Sequence, residues 1–138
     1  MKTYLADTNI FIRFFTGDDK DKAQSVLQTI KRVKTKEIEL VLSEAVLIEI
    51  VHILSSKKLY ALERDHIKKL LVSILVLDNA KIEHKKIYFQ ALDLYVAHAI
   101  DYTDCILAVK SLHPEINGVY SYDRDFDKID GVLRLEEL

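Results

Sequence analysis

Apolar runs of strand length alternate with stretches of helical period along nearly the whole chain, and that alternation confines the fold to the α/β class. The pattern predicts strands over residues 3–6, 38–42, 119–122 and 132–135, the last at an edge. It predicts helices over 10–15, 18–34, 43–56, 63–77, 83–97 and 101–112. The punctuation agrees. Asp7-Thr8-Asn9 and Ser43 supply capping side chains, Gly17 stops the first short helix, and Pro114 and Gly118 mark a turn. Ala23, Val26, Leu27 and Ile30 share one helix face, and Ile67, Leu70, Leu71, Ile74 and Leu75 another. Strands separated by helices make a mainly parallel sheet. With 3 Gly and 1 Pro in 138 residues, little chain remains for linkers, and a single domain over 1–138 is expected.

Composition narrows the chemistry. Apolar residues at 49% and charged residues at 30% exclude a disordered chain. One Cys excludes a disulfide scaffold or a Cys-rich zinc site, and a single thiol suits a reducing compartment, so a cytoplasmic location is expected. A net charge of −2 argues against a basic nucleic-acid coat protein, though not against an enzyme that meets nucleic acid through a metal and local Lys patches. Residues 1–6 run straight into Asp7 without a signal-like apolar stretch. The greasiest run, 70–77, is broken by Ser73 and too short to span a bilayer, so no membrane partner is expected.

Most of the 22 acidic residues are solvated surface charges, and the informative ones sit in apolar surroundings. Asp7 directly follows the first strand, where ligands of open α/β sheets bind; its bland role is a helix cap. Glu49 lies in the run Ala45-Val46-Leu47-Ile48-Glu49-Ile50-Val51-His52-Ile53-Leu54, apolar nearly all round, so its helix is expected to be buried on most sides. A carboxylate there must be paired, protonated or bound to a cation, and the bland role is a buried salt bridge to Lys or Arg. Glu44, in the first turn, is explained by the helix dipole. Asp104 opens the greasy run Cys105-Ile106-Leu107-Ala108-Val109, with Asp101 three residues earlier on the same face, the spacing of an ordinary helix start. Asp123 ends a strand as Asp7 does, with Asp125 and Asp127 following; its bland role is a turn.

Together these acids suggest one acidic pocket. Crowded carboxylates repel and raise one another's pKa, and a divalent cation removes that cost. Hard oxygen donors without His or Cys favour Mg²⁺ or Mn²⁺, ions that commonly meet substrate phosphates. The chemistry that follows is metal-assisted phosphodiester hydrolysis, with one ion or two.

At this point the sequence resembles a PIN-domain nuclease, of the kind found as VapC-type toxins of toxin–antitoxin pairs. Leu5-Ala6-Asp7-Thr8-Asn9 is similar to the family's opening motif. Residues 42–49 resemble the second motif, with Glu49 as its essential acid. Asp101-Tyr102-Thr103-Asp104-Cys105-Ile106-Leu107-Ala108 resembles the third, with Asp104 as main ligand and Asp101 as auxiliary. Ser121-Tyr122-Asp123-Arg124-Asp125-Phe126 resembles the fourth, with Ser121 and Asp123 at the site. Cys105 stands where the family usually has Ala. The resemblance implies a three-layer α/β/α sandwich about a short, mainly parallel sheet. It implies Mg²⁺- or Mn²⁺-dependent endoribonuclease activity leaving 5′-phosphate and 3′-hydroxyl ends, a homodimer, and a small antitoxin partner whose tail blocks the acidic groove. It assigns catalysis and metal binding to Asp7, Glu49, Asp104 and Asp123, and auxiliary roles to Asn9, Ser43, Asp101 and Ser121. The competing expectation is a non-catalytic PIN-like module that binds protein or RNA.

Other residues carry less. The five His never form His-Glu-x-x-His; His52, one turn from Glu49, is expected to be structural and within hydrogen-bonding range of that acid. Cys105 reads as a small core residue. Arg13 could hold a phosphate, an antitoxin acid or a surface salt bridge. Lys31, Arg32, Lys34 and Lys36 form the densest basic run, a solvated helix end that could also guide RNA. An Asp-nucleophile phosphatase of the haloacid-dehalogenase kind needs an acid two positions after Asp7, where this chain has Asn9. The set of acids and Lys that a receiver domain needs is not found either.

Overall fold

In the computed structural model, which describes residues 1–138, the first helix, α1 (Thr8–Thr16), ends where the sequence places its stop. Gly17 adopts the left-handed conformation (φ 63°, ψ 17°) that a side chain would disfavour, and its N–H closes the last turn on the Arg13 carbonyl. The chain divides into two compact units, Met1–Lys85 and Lys86–Leu138.

In the first unit, β1 (Lys2–Leu5), β2 (Ile38–Val41) and β3 (Ala80–Lys81) form a parallel sheet in the order β1-β2-β3. Lys2 pairs with Ile38 and Leu5 with Val41; Leu40 pairs with Ala80. The central strand buries alternate residues, Ile38 and Leu40, and packs against α2 (Lys20–Lys34), while α3 (Glu44–Ser55) packs against α4 (Arg64–Leu75). Each helix commits a stripe at helical spacing: Val26, Ile30 and Val33 on α2; Leu47, Ile50, Val51 and Leu54 on α3; Ile67, Leu71, Ile74 and Leu75 on α4. Leu54 and Ile67 are fully enclosed, so truncating either to Ala costs roughly 2–5 kcal/mol. Because all three strands are parallel, their carboxyl ends share one edge. β1 delivers Asp7 there, and β2 delivers Ser43.

The second unit carries α5 (Lys85–Ala97) from its second residue on, α6 (Tyr102–Ser111), β4 (Val119–Tyr120), a 3-10 turn (Arg124–Lys128) and β5 (Arg134–Leu135). Tyr95 and Tyr102 meet edge to face at 5.9 Å, and the Tyr102 hydroxyl donates to the Tyr88 carbonyl at 3.2 Å, fixing α6 against α5. β4 and β5 run parallel, Val119 opposite Arg134. Gly118 permits that approach, since a Cβ there would lie 2.7 Å from the Leu133 carbonyl oxygen.

The α/β class and parallel pairing expected from sequence are observed. The ladders are two, three-stranded and two-stranded, and β3 adds a strand the pattern did not announce. No helix is long and apolar enough to cross a membrane.

Candidate active site

The first unit supplies Asp7, Thr8, Asn9, Ser43 and Glu49. Asp7 occupies the N-cap of α1, and its Oδ1 accepts from the Thr8 N–H at 2.8 Å, leaving Oδ2 open. The capping role weighed from sequence is therefore real, and it leaves half of the carboxylate available. Asn9 is exposed in the first turn. Ser43 caps α3 by accepting from the Val46 N–H at 3.2 Å, which fixes the start of the helix that bears Glu49.

Glu49 corrects a sequence expectation. It is exposed, and α3 is not buried on most sides. The buried stripe takes Leu47, Ile50, Val51 and Leu54, and Glu49 falls on the opposite side of the helix. Nor is its partner a Lys, an Arg or His52. Thr8 Oγ1 donates to Glu49 Oε2 at 2.8 Å, joining the first motif to the second across 41 residues of sequence. Thr8 is 2% exposed. Sequence reasoning passed over its hydroxyl, although Thr8 stands three and four positions before the buried Phe11 and Ile12 and so shares their face.

The second unit supplies Asp101, Asp104, Ser121 and Asp123. Asp101 stands at the N-cap of α6 without making a side-chain capping bond. Asp104, in the first turn, is half-buried. Burial pushes its carboxyl above the usual range, and the negative charges of Asp123, Asp101 and Asp125 push it further. Asp125 is neutralised by Lys128 at 2.8 Å. No Lys or Arg pairs with Asp101, Asp104 or Asp123. Ser121 Oγ accepts from the Asp123 N–H at 2.9 Å, and Asp123 Oδ1 accepts from the Asp125 N–H at 2.9 Å. These two short loops fix the backbone that carries Asp123 past the end of β4. Arg134 Nη1 donates to the Ser121 carbonyl at 3.1 Å while its guanidinium is held by Asp127 and Glu136.

Within either unit, no three His, Cys, Asp or Glu side chains converge to hold an ion. The donor chemistry nonetheless fits a hard divalent cation: carboxylate oxygens, unpaired with Lys or Arg, whose mutual repulsion shows in Asp104. The neighbours behave as expected. Cys105 is fully buried, its thiol directed to the Ile100 carbonyl, a core residue beside Asp104. Arg32 pairs with Glu37 and Lys36 with Asp78, so the basic run is partly spent in surface ion pairs.

A parallel α/β protein with carboxylates at strand ends and helix starts, left without cationic partners, defines an acidic-site class of fold. The chain belongs to the PIN domain family, whose model matches residues 4–132. The α/β/α sandwich about a short parallel sheet expected above is the fold class of that family. A relative from Aquifex aeolicus (strain VF5), named VapC ribonuclease, is 29% identical over 125 residues, covering 91% of this chain and 90% of its own length. No solved structure matches the chain significantly.

Proposed function

We propose that this chain is a divalent-metal-dependent endoribonuclease, the toxin of a toxin–antitoxin pair, acting as one nuclease domain over residues 1–138. The observation that carries the reading is that Asp101, Asp104 and Asp123 of the second unit form no ion pair with Lys or Arg, and that burial first, then the charges of Asp123 and Asp101, push the Asp104 carboxyl up. The similarity to a VapC ribonuclease over 91% of the chain supports RNA as the substrate.

Asp7, Glu49, Asp104 and Asp123 would hold Mg²⁺ or Mn²⁺, with Asp101, Asn9, Ser43 and Ser121 as auxiliaries. When bound, such an ion polarises phosphoryl oxygens and lowers the pKa of water. The chain's own residues prepare the ground. Thr8 orients Glu49. Asp7 spends one oxygen on the helix cap and keeps the other free. Ser121 and the Asp125 N–H fix Asp123. Asp101 keeps both oxygens uncommitted at a helix start, where the dipole favours negative charge. A small antitoxin, a homodimeric state and a cytoplasmic location belong to the same proposal.

The test is incubation of the purified protein with a mixed RNA pool in Mn²⁺, Mg²⁺ and EDTA, with Asp7→Asn in parallel. Cleavage that requires both metal and Asp7 is expected. Absence of both cleavage and calorimetric Mn²⁺ binding would leave a non-catalytic binding module.

A further inference from the structure

Between α1 and α2 lies a groove of about 390 Å³, lined by Asn9, Ile10, Arg13, Lys22, Ser25 and Val26. That volume falls within the roughly 300–1,000 Å³ range of ligand pockets. Its lining holds two cations, an amide, a hydroxyl and no carboxylate. Val26 is buried and makes an apolar floor, while Ile10 stands half-open at the rim. The groove is lined by Asn9, two residues beyond Asp7 on the same helix, so it shares one residue with the candidate site.

Arg13 is held in place from behind. Its Nη1 donates to Asp18 Oδ1 at 3.2 Å, and the Tyr60 hydroxyl donates to Asp18 Oδ2 at 2.6 Å. The phenol hydrogen bond, aided by Arg13, keeps the Asp18 carboxyl below the usual carboxylate range, so the brace stays charged at neutral pH. One contact occupies one of the five guanidinium donors, leaving most of the fork open. Lys22 is only loosely tied, 3.9 Å from Asp19.

We infer that this groove seats the RNA strand immediately beside the scissile phosphate, with Arg13 and Lys22 on backbone phosphates and a base over Val26 and Ile10. The inference rests on the nuclease reading and deepens it. Phosphates match the paired cations, since Arg offers a planar fork and Lys a point charge. A base has an apolar face for the floor and polar edges for Asn9 and Ser25. An acidic peptide would also meet the cations, but Asn9 belongs both to the groove and to the candidate site, which favours the strand that is cut there. Tyr60 and Asp18 are positioning residues, acting through Arg13.

The experiment measures binding of fluorescein-labelled single-stranded RNA to the full chain by anisotropy in EDTA, across a salt series. Arg13→Ala and Lys22→Ala are each expected to weaken binding about fivefold to tenfold at 0.1 M salt and to lower the salt slope by about 0.7. Lys69→Ala, on α4 and outside the basic run, removes the same charge and should change affinity less than twofold. Tyr60→Phe should weaken binding about threefold with an unchanged slope, because it loosens Arg13 without removing a charge. Ser25→Trp, which fills the groove, should abolish the contribution of both cations. If Arg13→Ala and Lys22→Ala match Lys69→Ala, the groove is not an RNA subsite. If a Glu/Leu-rich peptide binds the wild type, loses binding in Arg13→Ala, and leaves RNA binding unmoved, the groove belongs to a protein partner and the inference falls. Wild type that binds no RNA overturns the RNA reading itself. Groove-dependent binding without cleavage in Mn²⁺ overturns only the nuclease chemistry.

Discussion

Replacing Thr8 by Val deletes one hydroxyl and nearly preserves shape, so it isolates the bond between the first and second motifs. Thr8 is 2% exposed and donates at 2.8 Å to a carboxylate that is itself exposed. A hydrogen bond to a charged group contributes about 1.5–3 kcal/mol when fully buried. Water can replace part of it at Glu49, so roughly 1 kcal/mol of unfolding free energy is expected to be lost. For a chain of this size that lowers Tm by about 3 °C. The catalytic loss should be larger, because a carboxylate without its donor samples other rotamers. Each 1.4 kcal/mol of lost positioning is about tenfold in rate, and a displacement of about 1 Å can cost about a hundredfold. Single-turnover cleavage of a defined RNA in Mn²⁺ should therefore slow by about 10- to 100-fold in Thr8→Val. Thr8→Ser, which restores the donor, should regain most of the rate. Circular dichroism melts supply the stability arm. A Thr8→Val protein that cleaves at the wild-type rate, or a Thr8→Ser protein as slow as Thr8→Val, would refute the positioning role.

Three other outcomes are expected. Asp104 has a raised pKa, so its ionised form opposes folding of the metal-free chain at neutral pH, and that penalty disappears as pH falls through the folded and then the unfolded value. Asp104→Asn should thus raise the metal-free Tm slightly, by less than about 1 kcal/mol of stability, at pH 7 but not at pH 3, and abolish cleavage. Asp18, Asp78 and Asp127 have the opposite sign: Tyr60, Lys36 and Arg134 respectively lower their pKa values, so they stabilise above the ordinary carboxylate value of 3.8 and lose that contribution as pH falls below it. Acid titration followed by circular dichroism should show unfolding steepen below that value, shifted to higher pH in Tyr60→Phe. Gly118→Ala should disrupt the β4–β5 ladder, because its Cβ would meet the Leu133 carbonyl; a loss of roughly 1–3 kcal/mol in denaturant unfolding is expected.

The parts of the fold written in local chemistry were legible. Gly17, Ser43 and the α4 stripe end, start and bury their helices as the sequence implies. β3 was not, because a two-residue strand leaves no alternation to detect; it exists through its pairing with Leu40 and Val41. Glu49 was misjudged because hydropathy was counted along the run rather than around the helix. Spacing alone puts Leu47, Ile50, Val51 and Leu54 on one face and Glu49 off it. The acids themselves were visible as misfits in apolar sequence. What supports them was not: the Thr8 hydroxyl, the Tyr60–Asp18–Arg13 brace and the Lys128 that neutralises Asp125 are contacts between side chains, unmarked by any period.

Cys105 has a practical corollary. It is the only thiol in the chain, fully enclosed, and one position from Asp104. An alkylating reagent can reach it only when α6 comes away from its surroundings, so the labelling rate is a stopwatch for opening of the second unit. The stopwatch needs no engineered probe. Run with and without Mn²⁺, it reports in minutes or hours whether an ion at the neighbouring carboxylates holds that helix shut.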